Sequence, residues 1–203
     1  MSEWVRTAGG PGITRRSLLC LTVATEGGLL IAALLLGWLF SEPFWQETRM
    51  SWRPVLEGLF SGLLLLAAAI LFTESPLRFA AWLRRDIEQF AGIFDKATLP
   101  DLLLISLLAG AGEEALFRGV LQPAAAEYAG VRAAIAGVSI LFGLMHYLSR
   151  AYMVFTACMS VCFGLLYART GDILVPAIAH ALYDFLALLY GVRFHRFTAA
   201  GRK

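Results

Sequence analysis

Long apolar runs separated by short polar connections dominate the chain, and nearly all of its apolar residues fall within them. At about 1.5 Å of helix per residue, such runs are long enough for a hydrocarbon core of about 30 Å. The pattern predicts an all-α, polytopic transmembrane helical bundle of about six spans, organised as a single integral membrane domain over residues 1–203. The predicted spans are Ser17–Phe40, Pro54–Phe72, Pro100 to about Ala126, Val131–Tyr147, Ala151–Ala168 and Ile173–Tyr190.

The segment Leu77–Phe94 has a different pattern. Its apolar residues recur at helical spacing while charged residues occupy other faces, which is typical of a helix lying in the membrane interface. We therefore expect one interfacial amphipathic helix that does not cross the bilayer. The apolar positions are Phe79, Leu83, Ile87, Phe90 and Phe94, and the charged ones include Arg84, Arg85 and Glu88.

Composition supports the membrane interpretation. The 203 residues are 59% hydrophobic and 16% charged, whereas a soluble domain has roughly 45–50% apolar and about 25% charged residues. A net charge of +2 without any basic stretch interleaved with aromatics excludes a nucleic-acid partner. Cys20, Cys158 and Cys162 all lie in apolar runs, so we expect small buried hydrophobic residues and no disulfide framework. Nothing in the composition indicates the oligomeric state.

Lysine and arginine residues are distributed unevenly between the predicted connections. With the N-terminus inside, twelve of them fall on the cytoplasmic side and four, at Arg49, Arg53, Arg132 and Arg169, on the other. The positive-inside rule therefore predicts a multi-pass protein of the cell (inner) membrane with both termini in the cytoplasm.

Ionisable residues inside the predicted spans indicate function, because each is expensive at membrane depth unless paired or hydrated. Glu114 and Arg118 are four residues apart on one helix and can form an ion pair. Glu113 lies about 100° around that helix from Glu114, so the same arginine is less able to neutralise it. Glu113 is thus the freer carboxylate and a candidate general base. The structural alternative is that both glutamates only join helices through hydrogen bonds.

Histidines occur in two other spans. The spacing of His180 and Asp184 lets the carboxylate accept from the imidazole N–H and fix the ring orientation. With His146 and the acidic pair, they are expected to converge on one cavity. His195, beyond the last span, is expected to be an exposed interfacial residue. For Glu26, beside two glycines, a helix-packing contact and a cavity residue both remain open.

Three motifs in order carry a family resemblance. EEALFRG (Glu113 to Gly119), FGLMH (Phe142 to His146) and HALYD (His180 to Asp184) resemble the EExxxR, FxxxH and HxxxN/D motifs of the CAAX-protease and bacteriocin-processing (CPBP, Abi) family of intramembrane endopeptidases. The resemblance covers a protease core of about residues 100–190.

The resemblance implies hydrolysis of a peptide bond in a membrane-associated peptide or protein. Glu113 would activate the attacking water and His146 would help to hold it. His180 and Asp184 would stabilise the oxyanion, while Glu114, Arg118 and Phe142 would support the site. Asp184 departs from the amide usual in eukaryotic CAAX-type members, and an ionised aspartate cannot donate to an oxyanion.

Cofactor use and activity leave alternatives. A metal-free mechanism is slightly favoured, but a divalent metal such as zinc is an open alternative, with Glu113, His146, His180 and Asp184 as its ligands. A non-catalytic membrane scaffold or bacteriocin-immunity-type binding protein would keep the same cavity. A proton-coupled transporter is a third hypothesis, although the chain has neither internal repeats nor paired broken helices.

Overall fold

All regular structure in the described part of the chain is helical. The computed structural model describes residues 13–40 and 51–200, and side chains up to residue 192. The side chain of His195 therefore lies outside the described residues. The predicted all-α class is confirmed. The helices are α1 (Arg15–Leu39), α2 (Trp52–Thr73), α3 (Arg78–Gly92), α4 (Leu99–Leu116), α5 (Gln122–Ala129), α6 (Val131–Met145), α7 (Arg150–Thr170) and α8 (Leu174–Ala200), with a π-helical turn (Phe117–Leu121) between α4 and α5.

Within the part of the chain that the structure describes, four helices are long and apolar enough to cross a membrane, which supports an integral membrane protein. They are α1, α2, α7 and the Leu174–Val192 part of α8. The predicted third span corresponds to α4, the π-helical turn and α5 together, and α4 carries three acidic residues. The predicted fourth span corresponds to α6, which is only 15 residues long. At 1.5 Å per residue α6 extends about 22 Å, less than a hydrocarbon core. The total of six spans stays a prediction.

Helix α4 lies at the centre of the bundle, packed against α1 on one side and α8 on the other. Glycines allow the close approach: a Cβ atom added at Gly110 would lie 2.7 Å from the carbonyl oxygen of Ala177, and one at Gly112 only 2.5 Å from that of Glu26. The path continues through the π-helical turn, where residues 117–120 are all buried. The apolar pattern of the predicted third span does not indicate this turn. A π-turn of this kind is frequent at functional sites.

The predicted amphipathic helix forms as α3, and its apolar face packs on the bundle. Ala80, Leu83 and Ala91 are buried against neighbouring helices, including α7 and α8. Polar contacts hold it in place: Ser149 donates to the Asp86 carboxylate, and Arg84 is 3.2 Å from Glu74. Helix α3 thus forms a wall of the bundle.

The expectation that the cysteines are buried is wrong. Cys20 and Cys158 are exposed on the outer surface, and Cys162 is half-buried. Both exposed residues lie on candidate spans, α1 and α7, whose outward faces are also apolar. An apolar run in a membrane helix does not distinguish the lipid-facing side from the packed side.

Candidate active site

The predicted catalytic side chains converge on one cavity of about 280 Å³ inside the bundle. Glu113 comes from α4, His146 from the end of α6, and both His180 and Asp184 from α8. Phe142 also lines it, whereas Glu114 and Arg118 do not and are fully buried. Helix α3 closes one wall with Ile87, Phe90 and Ala91.

The Glu113 carboxylate faces both imidazoles. Its Oε1 atom is 3.5 Å from Nε2 of His146, and its Oε2 atom is 3.8 Å from Nε2 of His180. Both distances exceed the usual 2.7–3.2 Å of a hydrogen bond. Oε2 has no hydrogen-bond partner among the described residues, although only 7% of Glu113 is exposed. The carboxylate therefore keeps capacity to accept from a molecule in the cavity.

His146 is fixed by the helix that it ends. Its Nδ1 atom is 2.9 Å from the carbonyl oxygen of Phe142, and because a carbonyl only accepts, Nδ1 carries the proton. In the neutral form of the ring, Nε2 is therefore the unprotonated nitrogen, and it faces Glu113. The Phe142 ring stacks on the imidazole at a centroid distance of 4.3 Å and an interplanar angle of 17°. The FxxxH spacing thus supplies both contacts from one turn of helix.

Glu114 joins Arg118 to His180. The ion pair expected from the i, i+4 spacing is present, with Arg118 Nη1 3.0 Å from Glu114 Oε1. The same oxygen is 2.8 Å from Nδ1 of His180. The second guanidinium nitrogen, Nη2, donates to the backbone oxygen and the hydroxyl of Ser160 at 2.7 and 2.6 Å. The charge of this buried arginine is therefore compensated within the protein.

The expectation that Asp184 fixes the orientation of His180 needs correction. Nδ1 of His180 lies 2.8 Å from the Glu114 carboxylate. Asp184 is farther away, with its Oδ2 atom 3.4 Å from Nε2 of the same ring. Asp184 is also more exposed, with 30% of its side chain accessible. Helical spacing brought Asp184 near His180, but a residue from another helix holds the ring.

Aromatic rings enclose the buried charges. The guanidinium carbon of Arg118 lies 5.9, 5.2 and 5.6 Å from the ring centroids of Phe117, Phe142 and Phe163, within the range of a cation–π contact. Phe163 also stacks on His180 at 4.7 Å and 14°. Sequence reasoning missed Phe163 and Ser160. Ser160 could have been noticed as a polar residue within an apolar run. Phe163 could not, because the sequence does not distinguish it from the other apolar residues of α7.

Glu26 lies in the same cavity. Its side chain is part of the lining, and its backbone oxygen meets the surface of α4 at Gly112. Its Oε2 atom is buried without a hydrogen-bond partner among the described residues. The two alternatives for this residue are thus compatible, because the backbone forms the helix contact and the side chain faces the cavity.

The cavity holds side chains of the kinds that bind zinc, and whether the protein uses a metal stays a prediction. Imidazole and carboxylate are suitable ligands for zinc, which binds each at about 2.0–2.2 Å. Across the described residues, no three His, Cys, Asp or Glu side chains are grouped so that they could hold a metal ion.

Comparisons with known proteins agree with the motifs. Residues 95–186 match the family described as "Type II CAAX prenyl endopeptidase Rce1-like", so the family resemblance is confirmed. A protein of Bacillus subtilis (strain 168), "Uncharacterized protein YpbD", is 36% identical over 95 residues, which are 45% of this chain and 46% of that protein. The chain thus matches less than half of that relative's length. No solved structure matches it.

Proposed function

We propose that this chain, whose residues 95–186 form an Rce1-like domain, is an intramembrane endopeptidase that hydrolyses a peptide bond of a membrane-presented peptide or protein. One observation carries the proposal. A buried carboxylate, Glu113, faces the Nε2 atoms of both His146 and His180 across a cavity. Hydrolysis by activated water needs at least three groups: a base, a second group that holds the water, and a donor to the oxyanion.

Glu113 acts as the general base. Its free oxygen takes a proton from a water molecule, and the hydroxide adds to the carbonyl carbon of the scissile bond. The protonated Glu113 then gives this proton to the nitrogen of the leaving amine as the C–N bond breaks. The Nε2 lone pair of His146 accepts a hydrogen bond from the water and positions it, since Nδ1–H is held by Phe142.

His180 stabilises the oxyanion that forms when the hydroxide adds. Its Nδ1–H donates to Glu114, so donation from Nε2 requires the doubly protonated imidazolium. The carboxylates of Glu114 and Asp184 on either side of the ring suit that form. Asp184 thus supports the donor and does not donate itself. This assignment accommodates an acid where an amide is common in related proteins.

The proposed steps need no metal, because Glu113 takes the proton and the two imidazoles position the water and the oxyanion. Exhaustive dialysis of the purified protein against a chelator should therefore leave cleavage unchanged. A rate that falls with the chelator and returns with zinc would contradict the metal-free mechanism.

The test of the function is cleavage of a membrane-protein library in proteoliposomes, read by terminal sequencing. Glu113→Gln should keep the fold and lower turnover by roughly 10²–10⁴-fold, the range expected for loss of a general base. Glu127→Gln, which removes an exposed carboxylate on α5, is the matched control and should cleave normally. Cleavage by a well-folded Glu113→Gln variant would refute the assignment, and binding without cleavage by the unmodified protein would favour the scaffold hypothesis.

A further inference from the structure

The cavity is acidic, and this bears on its substrate. Three carboxylic side chains line it, Glu26, Glu113 and Asp184, together with His146 and His180. The described residues of the lining include neither lysine nor arginine. The nearby Arg118 is also cationic, but it lies outside the lining. Its Nη1 atom donates to the Glu114 carboxylate and its Nη2 atom to the Ser160 hydroxyl. In the proposed mechanism His180 carries one positive charge, which the three carboxylic groups of the described lining outnumber.

Two of the carboxylates have oxygens without partners. Oε2 of Glu113 and Oε2 of Glu26 are both buried, and the structure gives neither a hydrogen-bond donor among the described residues. Among the described residues, the hydrogen-bond donor to the other oxygen of Glu26 is the neighbouring Thr25 hydroxyl at 3.3 Å. Buried carboxylates without donors are costly, so this arrangement favours a ligand that brings a donor into the cavity.

The position of Glu26 is fixed by the fold. Helix α1 approaches α4 so closely at this point that a Cβ atom at Gly112 would lie 2.5 Å from the Glu26 carbonyl oxygen. Gly112 is the residue before Glu113. The contact therefore anchors Glu26 at the level of the proposed base, on a different wall of the cavity.

We propose that Glu26 is a specificity residue, which selects a substrate segment carrying a cationic group, a lysine or arginine side chain or a free amine, close to the scissile bond. The inference rests on the proposed function and names the substrate class of the same site. An ammonium or guanidinium group supplies charge-assisted hydrogen bonds to the unpartnered oxygens. A free carboxylate would instead add a further negative charge. A CAAX sequence ends in such a carboxylate at the C-terminus of its protein, so this cavity favours an internal or basic segment.

Binding of two matched dipeptide probes tests the inference without requiring cleavage. Acetyl-leucyl-lysinamide carries only a side-chain ammonium group, which stays protonated at mildly alkaline pH, and acetyl-leucyl-leucine carries only a carboxylate. Their dissociation constants would be measured on the purified full chain in non-ionic detergent, at mildly alkaline pH. We expect the ammonium probe to bind at least about tenfold more tightly, as one charge-assisted hydrogen bond allows. Equal binding, or tighter binding of the carboxylate probe, would overturn the proposal.

Three variants identify the residue responsible. Glu26→Gln should lower the preference for the ammonium probe about tenfold, and Glu26→Asp should lower it less. Glu127→Gln should leave the preference unchanged. A preference that survives intact in Glu26→Gln would overturn the role of Glu26. If a variant does not fold, the two probes measured on the unmodified protein still show whether the cavity prefers a cationic ligand.

Cleavage data separate this inference from the proposed function. Sites cut in the membrane-protein library should be enriched in lysine or arginine, and the enrichment should fall in Glu26→Gln while cleavage continues. Probe selectivity that depends on Glu26, without any cleavage, would refute the proposed function and support the inference. Cleavage that depends on Glu113, without probe selectivity, would do the opposite.

Discussion

Replacing Glu114 with glutamine tests the buried network behind the cavity. The Glu114 Oε1 atom receives hydrogen bonds from Arg118 at 3.0 Å and from His180 at 2.8 Å. Both Glu114 and Arg118 are completely inaccessible to solvent. Glutamine keeps the shape of the side chain and one acceptor oxygen, but it removes the charge that balances the guanidinium group.

The expected loss of stability follows from these contacts. A hydrogen bond to a charged group contributes about 1.5–3 kcal/mol, so the two bonds together contribute about 3–6 kcal/mol. The glutamine oxygen retains part of this, but Arg118 is left as an uncompensated buried charge. Removing one partner of a buried ion pair costs about 3–5 kcal/mol. We expect a destabilisation in that range for Glu114→Gln.

The assay is thermal or denaturant unfolding in detergent, with a matched pair as the control. Arg53 and Glu57 on α2 have the same i, i+4 spacing at 2.8 Å, but 77% and 38% of their side chains are exposed. Glu57→Gln should therefore cost less than about 1 kcal/mol. Because Glu114 and Arg118 interact directly, adding Arg118→Met to Glu114→Gln should cost less than the sum of the single changes. Equal stability of Glu114→Gln and Glu57→Gln would refute the reasoning.

Two further predictions concern Asp184 and the orientation in the membrane. Asp184→Asn should lower turnover less than Asp184→Ala, since the amide keeps an oxygen dipole beside the protonated ring of His180. Alanine removes that support from the oxyanion donor, so the loss should approach the roughly 10²–10³-fold of a missing donor. Equal rates of the two variants in the cleavage assay would exclude this role. The positive-inside distribution predicts that a reporter fused after Lys203 is cytoplasmic and one inserted between Glu42 and Arg53 is external. Reporters on the same side would contradict the predicted topology.

Helical spacing explains what the sequence could predict about the site. Residues four apart lie on one face, so the Glu114–Arg118 ion pair and the proximity of His180 to Asp184 follow from the chain itself. The convergence of His146 and His180 on Glu113 depends on how helices pack. The sequence predicts it from the number of ionisable residues in one small bundle and from the three motifs, and periodicity alone does not.

The parts that could not be predicted are contacts between distant segments. The Glu114–His180 hydrogen bond joins residues 66 positions apart, and helix periodicity carries no information about it. The contact of Arg118 with Ser160 and the stack of Phe163 on His180 depend equally on packing. The same limit explains the error on the cysteines, since lipid and protein interior accept the same apolar residues.

Glu113 and Glu114 lie on two faces of the same helix and have different proposed roles, one catalytic and one structural. About 100° of rotation separates them, so Glu114 points to Arg118 inside the bundle while Glu113 faces the cavity. His180 connects the two, because its Nδ1 atom contacts Glu114 and its Nε2 atom faces Glu113. Loss of either acid therefore disturbs the same imidazole, and both variants should lose activity. Only Glu114→Gln also leaves a buried arginine uncompensated, so unfolding measurements, and not rates, assign the two roles.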